Sequence, residues 1–281
     1  MVENEIGHMR RFVMAAALLA LVPLCAGAQE FSWKRVLMDE SRTGTKMAAA
    51  GKVKESLGSV EGCKYVAPNG KTFKGSTKKA AAVVLAAQDR MAEVKTVIGH
   101  CPGGMKSYAP ESELSNWIAD EYIRAVGELT GKHVDVSFAN FGGIRAPMPD
   151  GDVLVDDIMS MFPFKNKFCY LQLRGSDLRA IYNQLAGKMQ VIGGATLTVK
   201  DGKLVEVLVG GKPLDDNQIY GVATIDFLLD GGDGLHIARG AVSLEIIDKY
   251  VIDVMMPYVK SLTAAGKDIT YHKDGRVRIL Q

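Results

Sequence analysis

The chain has 281 residues, 47% of them hydrophobic, with 34 basic and 32 acidic side chains for a formal charge of +2. That length supports a substantial core in one large domain, or one domain with an extension. The charge is near balance, and nothing in the sequence resembles the one-sided basic stripe of a nucleic-acid binder. Beyond the N-terminus no apolar run reaches the roughly 18 residues of a membrane span.

The N-terminus reads as an export signal. Arg10 and Arg11 form a basic region, Phe12 to Leu24 is uninterrupted apolar sequence, and Ala26-Gly27-Ala28 gives the small-x-small cleavage pattern. Residues 1–28 are therefore expected to be a signal peptide, and the residues before Met9 an upstream start. Cys25 raises lipidation as an alternative, which the bulky Leu24 in front of it disfavours. Of the remaining cysteines, Cys63, Cys101 and Cys169 are widely spaced and form no CxxC, so zinc binding is not expected. Export permits one disulfide without choosing its pair, while Cys169 sits in an apolar strand where a buried thiol is expected.

Residues 29–95 read as an N-terminal extension. Phe31-Ser-Trp-Lys-Arg35 and Asp39 to Gly44 suggest an ordered arm or small extension rather than a core, with little periodicity. Ser76 is placed to cap an Ala-rich helix from Thr77 to Lys95, with Val83, Val84, Ala87, Met91 and Val94 as its stripe. Thr96 to Gly99 reads as a strand before a Gly-rich loop. A second helix is expected from Glu113 to Thr130, with Leu114, Trp117, Ile118, Tyr122, Ala125, Val126 and Leu129 apolar and Gly131 as its stop.

Val134 to Ala139 reads as a strand running into Asn140-Phe-Gly-Gly-Ile-Arg145. A turn at Asp150-Gly151 and a short strand at Val153 follow. Cys169 to Leu173 alternates as a strand, and Gly175-Ser176 opens a helix with Leu178, Ile181, Tyr182 and Leu185 inward. Residues 195–214 carry Asp-Gly and Gly-Gly turns between alternating runs, a hairpin signal. Tyr220 to Ile225 is a strand before Asp226-Phe-Leu-Leu-Asp-Gly-Gly-Asp-Gly234. A long amphipathic helix from Ser243 to Ala264 and a strand pair around Asp274-Gly275 finish the chain. Without a regular βαβ rhythm, the fold class is α+β: a mixed sheet with packed helices.

Two glycine-rich segments carry the chemistry. Glycine allows close approach of backbone to ligand. Asn140 can donate and accept, and Arg145 can grip a phosphate or carboxylate bidentately. Taken singly, Phe164, in Pro163-Phe-Lys-Asn166, and Phe227 read first as core residues, with a face that stacks on a base as the second reading. Asp233, flanked by glycines, is poorly explained by packing and suits hydroxyl groups of a ribose. Together they describe a holder for a flat, hydroxylated, anionic molecule.

The order NxGGIR, PF-x-N, Gly175-x-x-Leu178 and Asp226 to Gly234 resembles the C-terminal domain of the 5′-nucleotidase family, over about Thr96 to Leu280. The resemblance implies a nucleotide-binding α+β domain over residues 96–281. It implies that Phe164 and Phe227 sandwich the base, Asn166 meets the base edge, Asp233 holds the ribose hydroxyls, Asn140 and Arg145 face the phosphate and ribose end, and Gly193 lines the base pocket. It assigns Asn116 and Asp120 to structural positions. Two departures stand out. The family motif opens Asn-Gly-Gly-Gly, where this chain has Phe141, and a further family arginine before the Glu111 segment has no counterpart among Tyr108 to Pro110.

Hydrolysis in that family uses two metals held by Asp-x-His, Gly-Asn-His-Asp/Glu and His-x-His. None occurs here. His100, His133, His236 and His272 are scattered, and His100 beside Cys101 lacks a second ligand pair. Residues 29–95 are too few for a dimetal phosphoesterase. The expected role is thus the exported, periplasmic nucleotide-binding half of a split 5′-nucleotidase. Whether the chain has catalytic activity of its own stays open at this point. It would bind no cofactor and no catalytic residue or metal site is assigned; divalent metals would belong to a separately encoded metallophosphoesterase partner. The alternative is a stand-alone, non-catalytic nucleoside- or nucleotide-binding protein.

Overall fold

A computed structural model describes residues 42–46 and 51–280. The proposed signal peptide, Cys25 and the proposed arm up to Ser41 lie outside the described residues. From Thr43 onward the chain forms one compact unit.

Its first elements are a short helix α1 (Val53–Leu57) and a three-stranded antiparallel sheet, β1 (Ser59–Glu61), β2 (Lys64–Val66) and β3 (Thr72–Phe73). Strands of two or three residues carry no readable alternation, which is why this sheet left no mark in the sequence pattern. Helix α2 (Gly75–Ala86) begins one residue before Ser76, and no side chain caps it. It ends before Lys95, with a 3₁₀ turn at Asp89–Met91 following. The expected stripe is not a core face: Val83 is 71% exposed.

The principal sheet has five strands in the order β13-β7-β12-β5-β8: Ser243–Tyr250, Lys167–Arg174, Ile219–Ile225, Val136–Ala139 and Val191–Gly193. β5 and β12 run parallel, with Val136 opposite Val222, and all other neighbours are antiparallel. Helix α3 (Glu113–Thr130) packs on it. Ser112 and Ser115 exchange hydrogen bonds at its start, and Gly131 ends it at φ 68°. Leu114, Trp117, Ile118, Tyr122, Ala125 and Val126 are buried as expected, whereas Leu129, in the last turn, is exposed. The mixed sheet with helices packed against it is the α+β arrangement read from the sequence.

β4 (Val97–Cys101) pairs with β6 (Gly151–Leu154), and helix α4 (Val155–Met161), which the sequence did not announce, follows at once. Helix α5 (Gly175–Gly187) buries Leu178, Ile181, Tyr182 and Leu185. A second sheet has the order β11-β10-β9-β14: Lys212–Pro213, Lys203–Val209, Ala195–Lys200 and Val277–Leu280. Asp201 and Gly202 both take positive φ between β9 and β10, the two-residue turn that the Asp-Gly signal demands.

Two expectations near the C-terminus are corrected. Ser243 to Ala264 is not one helix: β13 occupies its first third and α6 (Val251–Ala264) the rest. Leu244, Ile247 and Val251 have helical spacing, yet the run also alternates, and pairing with β7 decides it. Asp253 Oδ2 accepts the Tyr250 N–H and marks the true helix start. The Asp274-Gly275 segment is no strand pair either. β14 pairs parallel with β9, and the turn before it is held by Glu111.

Cys101 and Cys169 are buried free thiols and Cys63 is exposed. Burial, with the Asp226 carboxylate nearby, pushes the Cys169 thiol up to about 12, and burial also raises Cys101. Because the thiolate is the nucleophile, iodoacetamide at pH 8 is expected to modify Cys63 in the native chain and to spare Cys101 and Cys169 until denaturant is added. Peptide mapping by mass spectrometry reads this directly, and native-state labelling of Cys169 would contradict it.

Candidate functional site

Sheet topology gathers the candidate residues at one end. The parallel strands β5 and β12 finish side by side, so the Asn140 segment and the Asp226 to Gly234 segment leave the sheet as neighbours. β7 runs opposite to β12, with Phe168 facing Ile225, so the Phe164 to Asn166 segment enters at that same end. β8 runs opposite to β5, with Val191 facing Ala139, which brings Lys188 to Gln190 there as well. Loops beyond the carboxyl ends of parallel strands are a recurrent location for ligand sites in sheets.

Asn140 is buried at 6% exposure, and its carboxamide Nδ2 donates to Asp233 Oδ2 at 2.7 Å. Gly143 explains how this fits: a Cβ there would lie 2.5 Å from Asn140 Oδ1, whereas one on Gly142 would make only ordinary contacts, 3.6 Å from both Asn140 Nδ2 and Asp233 Oδ2. The Asn140 side chain therefore folds over its own turn, which is closed by the Gly143 N–H to Asn140 carbonyl bond at 3.0 Å. Asp233 takes φ 51°, a left-handed conformation that aspartate tolerates better than most residues. Gly232 beside it approaches the Phe227 carbonyl so closely that a Cβ would stand 2.0 Å away.

A cleft beside this pair is bordered by Asn140, Gly143, Ile144, Phe164 and Asn166, with Tyr122, Phe162, Ile225 and Val251 beneath. Phe164 and Phe227 are each 47% exposed, which removes the reading of either as a core residue. Arg145 is exposed; its guanidinium carbon lies 6.0 Å from the Phe164 ring centre and Nη1 donates to the Gly142 carbonyl at 3.3 Å. Its backbone N–H donates to Met161, which fixes where the side chain starts. Asn166 is half-buried, and its carbonyl accepts from the first residue of α6.

Asn140, Phe164 and Asn166 thus share one cleft, Asp233 joins through Asn140, and Arg145 joins through Phe164. Phe227 precedes Asp233 in the same loop. Gly193 does not border the cleft. A Cβ there would meet Ser137 Oγ at 2.5 Å and Ala119 at 3.1 Å, so its role visible here is close packing of β8 under α3. Asn116 and Asp120 are structural: Asn116 donates to Glu111, and Asp120 receives Arg276 bidentately. Two further polar side chains reach the site and were not singled out in the sequence. Gln190 Oε1 accepts the Phe141 N–H at 3.0 Å, and Lys188 Nζ donates to the Asp233 carbonyl at 3.2 Å. Gln190 stands in the same Gln-Val-Ile-Gly run that drew attention to Gly193.

Among the described residues no group of three or more His, Cys, Asp or Glu could hold a metal ion, and no helix is long and apolar enough to cross a membrane. His100 pairs instead with Asp268 at 3.1 Å.

The model of the 5′-nucleotidase C-terminal domain matches residues 94–239, just over half of the chain. The cell wall protein Lmo0130 of Listeria monocytogenes is 31% identical over 184 residues, 59% of this chain and 23% of that protein. A 5′-nucleotidase of Vibrio cholerae is 27% identical over 161 residues, 52% of this chain and 29% of its own length. The chain spans about a quarter of the length of these relatives. Among solved structures, a 5′-nucleotidase precursor from Thermus thermophilus superposes with a TM-score of 0.63 at 23% identity, covering 73% of this chain and 43% of that one. The NAD nucleotidase of Haemophilus influenzae gives 0.55 at 18% identity, covering 77% and 47%. These likenesses carry the fold, and with the family match they lead to one conclusion: the chain belongs to the 5′-nucleotidase C-terminal domain family.

Proposed function

We propose that this chain is the nucleotide-binding half of a split 5′-nucleotidase. It holds a nucleoside monophosphate for a separately encoded metallophosphoesterase, which supplies the divalent metals and releases phosphate. The observation that carries the reading is a pair of half-exposed phenylalanines, Phe164 and Phe227, on loops leaving the same sheet end as the hydrogen-bonded Asn140–Asp233 pair. Large rings left in solvent beside a fixed carboxylate suit a base stacked on its faces and a ribose bonded at its hydroxyls. Arg145 supplies the cation for the phosphate end. The chain's contribution to catalysis is then orientation of the nucleotide over the partner's metals. The Arg10-Arg11 start and the apolar run to Leu24 support export, and a periplasmic location with it.

Calorimetry with adenosine and AMP tests the binding step. Binding is expected for the wild-type chain and strong weakening for Asp233→Ala, about tenfold or more, since a carboxylate bonded to hydroxyls is worth roughly 1.5–3 kcal/mol. Phosphate release from AMP with divalent metal is then assayed for the chain alone and with a phosphoesterase carrying the metal motifs. Release only in the mixture supports the split enzyme. Binding without release in either case favours the stand-alone binding protein, and release by the purified chain alone overturns the assignment of metal chemistry to a partner.

A further inference from the structure

We propose that Gln190 is a positioning residue for the nucleotide site, acting through the backbone of Phe141. The proposal rests on the nucleotide-binding reading above and adds a residue that neither the motif order nor the cleft lining singles out.

The register makes the contact specific. β5 and β8 end with Ala139 opposite Val191, so the next pair outward sets Asn140 against Gln190. The regular ladder stops there. In its place the Gln190 side chain reaches one residue further and accepts the Phe141 N–H at 3.0 Å. A backbone N–H requires an acceptor, so the oxygen of the carboxamide must face it. Gln190 is only 6% exposed, so water is a poor substitute.

What this bond holds is the turn that aims Asn140. With Phe141 N–H fixed, the Ile144 N–H reaches the Phe141 carbonyl at 3.2 Å and the Gly143 N–H reaches the Asn140 carbonyl at 3.0 Å. Gly143 then leaves the space into which the Asn140 carboxamide folds, 2.7 Å from Asp233 Oδ2. Lys188, two residues before Gln190, donates to the Asp233 carbonyl at 3.2 Å. One short connector between α5 and β8 thus grips both glycine loops, the Asn140 turn through Gln190 and the Asp233 turn through Lys188. Phe141 stands where the family pattern has a more mobile glycine. Its partly buried ring packs against the core, so side chain and N–H are anchored together.

Amide hydrogen exchange at Phe141 and the affinity for adenosine, an uncharged probe, are measured on the full chain for wild type, Gln190→Met and Gln190→Glu. Methionine keeps the size and removes the acceptor, whereas glutamate keeps the acceptor. Expected are a protected Phe141 amide in wild type, exchange at least tenfold faster in Gln190→Met, and adenosine binding about tenfold weaker, as befits loss of one buried hydrogen bond. Gln190→Glu restores both to within about threefold, a rescue that a mere space-filling role would not distinguish from Gln190→Met. Equal weakening in both variants, or a Phe141 amide that exchanges freely in wild type, overturns the proposal while leaving nucleotide binding standing. Failure of the wild-type chain to bind adenosine or AMP instead overturns the binding reading, and the positioning role with it.

Discussion

Glu111→Ala is expected to lower the thermal midpoint of unfolding by roughly 10 °C, through loss of about 3 kcal/mol at roughly 2–4 °C per kcal/mol for a domain of this size. Glu111 is 8% exposed and its carboxylate gathers four donors. Oε1 accepts from Asn116 Nδ2 at 2.8 Å, the Asp274 N–H at 2.9 Å and the Gly275 N–H at 3.1 Å, and Oε2 accepts from the Val277 N–H at 3.4 Å. One side chain at the start of α3 thereby holds the turn that feeds β14. Beside it Arg276, 6% exposed, donates bidentately to Asp120 and to both oxygens of Asp274, and Tyr271 donates to Asp120. Removing the carboxylate strands donors that hydrogen bonds to a charged group had satisfied, each such bond being worth about 1.5–3 kcal/mol. The donors act together and water reaches part of the turn, so the net loss is about 3 kcal/mol rather than the sum. Glu111→Gln keeps one acceptor oxygen and is expected to lose about half as much. A midpoint within about 3 °C of wild type for the alanine variant, no more than about 0.75–1.5 kcal/mol on the same scale, would show that β14 and its turn are held by sheet pairing alone.

That cluster also shows where sequence reading stops. Asp274-Gly275 has the composition of a hairpin turn, and locally nothing contradicts one. The acceptor that claims its amides lies more than 160 residues earlier, a pairing that no local pattern encodes. Ser243 to Ala264 failed for a related reason. Its spacing fits helix and strand alike over the first eight residues, and the free edge of β7 decided between them. Where the signal is local and repeated, the outcome differs. Helix α3 runs over the residues its apolar spacing and Gly131 indicate, and the Asp201-Gly202 hairpin is present. At the site, the residue types were legible because glycine pairs, a lone arginine and a glycine-flanked aspartate are hard to explain by packing. Their partners were not. Nothing in the sequence joins Asn140 to Asp233 or Gln190 to Phe141, because both bonds follow from the parallel pairing of β5 with β12 and the antiparallel pairing of β5 with β8. Gly193 shows the converse: it looks like a ligand-facing glycine, yet Ser137 and Ala119 already account for its missing side chain.

The double substitution Phe164→Ala with Phe227→Ala is expected to weaken adenosine binding at least about 30-fold while leaving the thermal midpoint within about 4 °C of wild type. The stability half follows from exposure. Each ring is 47% exposed, and substitutions at surface positions away from buried networks stay within about 0.5 kcal/mol. The binding half follows from stacking, worth roughly 1–3 kcal/mol per ring–base contact. Two rings on opposite faces of one base would together contribute on the order of 2–6 kcal/mol, or about 30-fold to more than 10⁴-fold in affinity. Each single variant should retain weakened binding, because the other face of the base stays covered. The contrast with Glu111→Ala is direct, since that substitution removes stability through a network that includes neither ring. If the double variant binds adenosine as wild type does, the rings are ordinary exposed side chains and the base lies elsewhere. If instead one single variant accounts for the entire loss, the base stacks on one face only, and the cleft bordered by Phe164, Asn166 and Asn140 becomes the place to look for the contact that replaces the second ring.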